Sequence, residues 1–328
     1  MSDPVWSARL PRGKMGQRCE RKADAMGHGD HWGCVFKDTD TGISELLPVA
    51  IADGALVEGE TLVLKKMSRD GEIADEPGEP TLTFGLVSDR GPYSVMVVLM
   101  KQDGMEETFV GSAYPFMPEG CIRDMVVQSV EEWDNGVEAE ITGVLDDGAI
   151  VTFFDLEYFR NSGQYHEGRR VTVELAALAL FAEPTEHKPI VIDDPDRVAE
   201  IRAIAGDSRT SDRIEFRTEG MAILFPAENG QASEYSFTGP VKSVTFDEVG
   251  GQTFHRAVIT VLRMGDDFDL PVLIADHTRK GAGPVAGQDF SGLIWMHGRL
   301  CKERPERQAR QTAEKEGLIG RLKRRLGL

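Results

Sequence analysis

Cys19, His28, His31 and Cys34 fall within one stretch, "CERKADAMGHGDHWGC". Two thiols and two imidazoles are the donors, in number and type, of a tetrahedral zinc ion. Eight, two and two residues separate them, which is not the spacing of a common zinc finger. A structural zinc knot and a solvated Gly/His loop are therefore the competing readings, and zinc is the one cofactor the sequence suggests. The other histidines (His166, His187, His255, His277, His297) are scattered without ligand spacing.

A second group interleaves aromatic and basic side chains. In "TFFDLEYFRNSGQYHEGRR", Phe154, Tyr158 and Tyr165 alternate with Arg160, Arg169 and Arg170. Rings that stack on bases beside cations that meet phosphates are how single-stranded nucleic acid is held. The competing reading is a core strand followed by a charged loop, which the charge balance favours. Catalytic patterns are missing. There is no G-x-x-x-x-G-K-[ST], no G-x-S-x-G turn, and no helix pattern after "GAGPVAG" or "DNGVEAEITG" to complete a dinucleotide site. This leans away from an enzyme.

Within the first group, "HGDHWG" resembles part of the H-x-H-x-D-H motif of the metallo-β-lactamase family. That resemblance implies a metal-dependent hydrolase with His28 and His31 among its ligands. Met26 stands where the motif has its first histidine, and the preceding "QRCERKADA" is polar where the family has a strand.

The elements that must position these groups read as mostly β. Of 328 residues, 35 are Gly and 16 are Pro, spread between short runs rich in Val, Ile, Leu and Thr. Such punctuation favours β-rich domains over helical bundles. "LLPVAI", "TLVLKKM", "TLTFGLV" and "SVMVVLM" read as strands of a small β domain over 44–120, with "SRDGEIADEPGEP" as a polar loop. Two further β segments, 121–185 and 213–301, resemble each other. Each has three strands with short Gly/Asp turns, then a polar excursion, then a last strand entered just after Gly168 or Gly287. This is the wiring of small closed barrels, OB-type barrels among them, and also of Greek-key sandwiches. Between them, over 186–212, "DDPDRVAEIRAIAGD" predicts a helix with Asp194 as cap and Pro195 in its first position. The two returning strands, "VTVELAALAL" and "GQDFSGLIWMHGRL", are apolar on both sides, so Trp295 is expected in a barrel wall or interdomain seam.

Charge divides the chain differently. Residues 1–24 carry +3 and residues 302–328 carry +5, which leaves −26 on residues 25–301 from the total of −18. So acidic a body repels a phosphate backbone, and nucleic acid is the disfavoured partner. Residues 1–43 read as a basic arm and Gly/His loop. Four cysteines at irregular spacing make no disulfide framework, and the N-terminus lacks the order of a secretion signal, so the expected compartment is the cytoplasm.

The tail, 302–328, ends in "GLIGRLKRRLGL". Leu318, Ile319, Leu322 and Leu326 form an apolar stripe if helical, with Arg321, Lys323, Arg324 and Arg325 around it. The piece resembles the short amphipathic helix by which the bacterial signal recognition particle receptor touches anionic lipid. A helix laid against the chain's own acidic body is the plain reading; four apolar side chains bury little in a bilayer, so of outside targets a protein partner is expected and a membrane surface is the weaker one. The whole reads as a mainly β scaffold or adaptor without catalysis. An OB-type module for single-stranded nucleic acid or a nucleotide is the alternative, and a metal-dependent hydrolase the second.

Overall fold

The computed structural model describes residues 28–67, 73–205 and 212–301. The basic arm, Cys19 and the whole tail from 302, with its docking residues Leu318 to Leu326, lie outside them.

The chain enters through a single helical turn, α1 (Gly29–Trp32), and a longer helix, α2 (Thr39–Asp53). Asp38 caps α2 by accepting from the Thr41 N–H at 3.3 Å. "LLPVAI" lies inside α2 and is not a strand. A short apolar run has no decisive period, and here the Asp38 cap upstream and Gly54 downstream settle it as helix. A four-stranded antiparallel meander follows: β1 (Ala55–Met67), β2 (Ile73–Asp89), β3 (Ser94–Gln102) and β4 (Phe109–Phe116). Much of the expected polar loop belongs to β2, whose Pro77 and Pro80 pair across irregular register with β1.

The rest is built twice. The first copy comprises β5 (Cys121–Glu132), β6 (Ala139–Leu145), β7 (Ile150–Asp155), the short helix α3 (Tyr158–Asn161) and β8 (Arg170–Pro184). An excursion follows, with β9 (Ile190–Ile192), α4 (Pro195–Ala205), β10 (Ile214–Phe216) and β11 (Ile223–Pro226). Asp194 does cap α4, accepting from the Arg197 N–H at 2.9 Å, and Val198 is the residue it buries. The second copy comprises β12 (Glu234–Val249), β13 (Gln252–Arg263), β14 (Asp267–Ala275) and β15 (Asp289–Leu300).

The two copies exchange their last strands. One ring closes as β5–β6–β7–β15–β8 and back to β5, and the other as β12–β13–β14–β8–β15 and back to β12. In each ring the third strand runs parallel to the strand borrowed from the other copy: β7 with β15, and β14 with β8. β8 and β15 lie side by side, antiparallel, in both barrels at once.

The glycines mark matching turns. Gly168 donates to Val127 O at 2.8 Å while Val127 N donates to Arg169 O at 2.9 Å. Gly287 and Val241 repeat this, with Gly287 donating to Val241 O at 2.8 Å and Val241 N to Gln288 O at 2.9 Å. Both glycines have positive φ, +79° and +86°, a region a Cβ disfavours. In both copies the ladder slips just after that valine, in "VQSV" and in "VKSV".

Strand sharing explains the two-sided apolar runs. Alternation sends Leu175, Ala177, Ala179, Ile294 and Met296 into the barrel interiors. It sends Ala176, Leu178 and Trp295 the other way, into a second core beneath β3 and β4. Trp295 is fully buried in that seam, as its sequence context predicts.

Candidate functional site

The densest chemistry lies where α1 meets both barrels. His28 and His31, one turn apart, bring their Nδ1 atoms to 2.9 Å from each other. His28 Nε2 lies 2.6 Å from Glu138 Oε1, in the turn before β6. His31 Nε2 lies 3.2 Å from Glu234 Oε1, at the start of β12. Ser112 Oγ and Asn135 Nδ2 also donate to Glu138, so three donors converge on one carboxylate. Next to Glu234, Ser233 donates from its N (2.8 Å) and its Oγ (2.5 Å) to Glu140.

Aromatic rings wall this polar line. Trp295 stacks on His31 with centroids 4.0 Å apart and planes 7° apart. Trp133 stacks on His28 at 4.9 Å and 19°. Tyr114 and Phe154 meet His28 edge-on at 5.0 and 4.7 Å. Two further bonds seat the same segment: Trp32 Nε1 donates to Ala113 O at 3.2 Å, and His277 Nε2 donates to Gly33 O at 2.7 Å.

Of the four residues of the expected zinc knot, Cys19 lies outside the described residues. His28 and His31 do come together, but each ring nitrogen already faces a hydrogen-bond partner. Cys34 sits in the core, its thiol pushed up by burial and then by the nearby Glu234, far from the thiolate a metal takes. Among the described residues no three His, Cys, Asp or Glu side chains converge as a metal site. Their partners are two carboxylates, 110 and 203 residues away in sequence, which no local motif reveals.

The aromatic and basic group takes the core-strand reading. Phe154, Tyr158 and Tyr165 are buried, so their faces are closed to a base. Tyr158 donates to Glu132 at 3.0 Å. Arg160 pairs with Glu157, Arg169 bonds Gln164, and Arg170 meets Asp146 at 2.6 Å and Asp124 at 3.8 Å. The arginines are taken up by neighbouring acids and amides and do not line a groove with the rings.

Two buried groups the sequence did not single out lie where β7 runs beside β15. Burial raises the Asp155 carboxyl to about 7, against the lowering effect of the Glu157 N–H it accepts at 3.1 Å. Its Oδ2 makes no hydrogen bond of ordinary length among the described residues, although the Tyr165 hydroxyl lies close enough to lower the carboxyl as well. Burial lowers the His297 ring to about 3, and its Nε2 accepts from Met117 N at 3.0 Å. A neutral imidazole that accepts from a backbone N–H is a packing element.

No helix among the described residues is long and apolar enough to cross a membrane. No family model matches the chain, and no curated protein matches it. Among solved structures, the cytoplasmic molybdate-binding protein ModG, with molybdate bound, is similar at 12% identity. The match covers 55% of this chain and 97% of that one, with a TM-score of 0.29.

Proposed function

We propose that this protein is a non-catalytic cytoplasmic scaffold that binds other proteins. In this reading the exchanged barrels are its rigid frame and residues 318–326 are one docking element. The observation that carries the reading is the outer strand of the meander. β1 pairs with β2 alone among the described strands, and it presents Leu56 and Val63 at 64% and 63% exposure beside Leu82 at 45%. An outer strand with exposed apolar side chains is a surface by which sheets add a partner's strand.

The test is a photo-crosslinking side chain placed at Val63, and separately at Leu322, in the full chain in its native cell. The reading predicts a discrete protein adduct at one or both positions, the Val63 adduct lost in Leu56→Asp and the Leu322 adduct lost when Leu318 and Leu326 are changed to Asp. Absence of an adduct at both positions overturns it.

A second reading keeps the frame and changes the ligand. Each ring follows the strand order of an OB-type barrel, first strand to second to third, then fifth, fourth and back, with the fifth borrowed. That wiring supports a nucleotide or single-stranded nucleic acid as ligand. Salt-dependent binding of oligonucleotides by the full chain separates it from the first reading.

A further inference from the structure

On the reading of β1 as a docking strand, on which this rests, we infer that its partner is a second copy of this chain. The two β1 strands lie antiparallel about a two-fold axis and join two four-stranded meanders into one sheet. β1 pairs with β2 alone among the described strands. Its ladder gains one residue between Glu58 and Thr61, where the Thr83 hydroxyl donates to Glu60 O at 2.8 Å. That bulge brings Leu56, Glu58, Thr61, Val63 and Lys65 to one outward face, and all five are exposed. Val57, Leu62 and Leu64 turn inward and pack against the second core.

The order of charges selects the occupant. The first half of β1 is acidic, with Glu58 and Glu60, and the second half is basic, with Lys65 and Lys66. A strand of that pattern is complementary to itself reversed. Pairing about Leu62 sets Glu58 of each copy opposite Lys65 of the other, and Thr61 opposite Val63, all on the outward face. Each contact occurs twice, because a two-fold interface uses the same surface from both copies. In-register parallel pairing would instead set Glu against Glu and Lys against Lys. The apolar side chains agree with the antiparallel register. Leu82 is the neighbour of Thr61 on β2, so Val63 of one copy falls in the same cross-strand row as Leu82 of the other. Two of the exposed apolar side chains of the meander thus share a strip across the seam. Lys65 already has a contact within its own chain, and in the pair it gains Glu58 as a second one. An edge contact of this length buries less than about 1,200 Å², the size of weak and transient interfaces, so the dimer is reversible.

The test is sedimentation of the full chain over roughly 1–100 μM, the span in which weak interfaces dissociate. The expected result is a monomer–dimer equilibrium. Glu58→Lys and Lys65→Glu each place like charges opposite one another twice, and each should weaken association at least ~10-fold. The double variant Glu58→Lys/Lys65→Glu restores both pairs and should return to within ~3-fold of the wild type, a recovery that misfolding of the single variants would not allow. A monomeric wild type, a dimer indifferent to both reversals, or a double variant that stays weak overturns the inference. The photo-crosslinking side chain at Val63 separates this outcome from the fate of the underlying reading. The expected adduct there joins two copies of the chain. An adduct with a different protein at Val63, or an adduct at Leu322 alone, overturns the second copy as partner and leaves the docking reading intact. No adduct at either position overturns both.

Discussion

The two barrels share a plan but not their buried chemistry. Leu273 pairs with Leu178 where Phe154 pairs with His297, so Ile274 occupies in the second barrel the place Asp155 holds in the first. By the same correspondence Ala176 and Leu178 of β8 stand where β15 has Trp295 and His297. The second barrel is aliphatic at these positions. At the matching places β7 and β15 hold a carboxyl, an indole and an imidazole, all fully or nearly fully buried. A duplicated frame tolerates such divergence because register is set elsewhere, by the matched glycine turns and ladder slips. The side chains between those fixed points are free to acquire other work, here the docking of α1.

Substitutions that return the first barrel to the second's chemistry test the comparison. The largest effect is expected at Trp295, which seals the seam that Ala176 cannot. Trp295→Ala should cost about 3–5 kcal/mol by urea unfolding, and an effect under about 1 kcal/mol would show the seam to be loosely packed.

His297 comes next. Its folded value, about 3, lies below the ordinary 6.5, so its contribution is present above 6.5 and is lost as pH falls from there toward 3. The wild-type chain should lose on the order of 3 kcal/mol more than His297→Leu between pH 6.5 and 4, as followed by thermal unfolding. Parallel acid limbs in the two proteins would contradict that assignment.

Asp155 has the opposite sign. A folded value of about 7 above the unfolded 3.8 means that stability falls as pH rises through that window. Asp155→Asn should therefore gain about 2 kcal/mol on the wild type between pH 5 and 7, with little difference below pH 4. A variant that tracks the wild type at every pH would place the carboxylate in a better-solvated site than its burial implies.

The smallest effects should also be the most alike. Gly168→Ala and Gly287→Ala each force a Cβ into positive φ, at about 1–2 kcal/mol. Costs that differ by more than about 1 kcal/mol would mean that the two turns are not equivalent.

These features were unequally legible in the sequence. The repeated strand–turn–strand text, the glycines at 168 and 287, the Asp194–Pro195 helix start and the burial of Trp295 could all be read, because each is a local signal of period, turn chemistry or composition. The exchange of β8 and β15 could not. Both returning strands have the same two-sided apolar character whichever barrel they close, and pairing over 100 residues leaves no local mark. "LLPVAI" was misread for want of a period. At the candidate site the histidines stood out by type, but zinc was the only partner that sequence proximity could offer them. Their carboxylates arrive from the two barrels, so the pairing is visible only once the chain is folded.

The central claim is that the barrels, sharing two strands, form one cooperative body. Native-state hydrogen exchange under increasing urea tests it most directly, comparing amides of β6 and β7 with those of β13 and β14. The account predicts that both sets merge into a single global opening with one free energy and one urea dependence, since neither ring closes without a strand of the other. Two separate openings, with one barrel exchanging while the other stays protected, would contradict it.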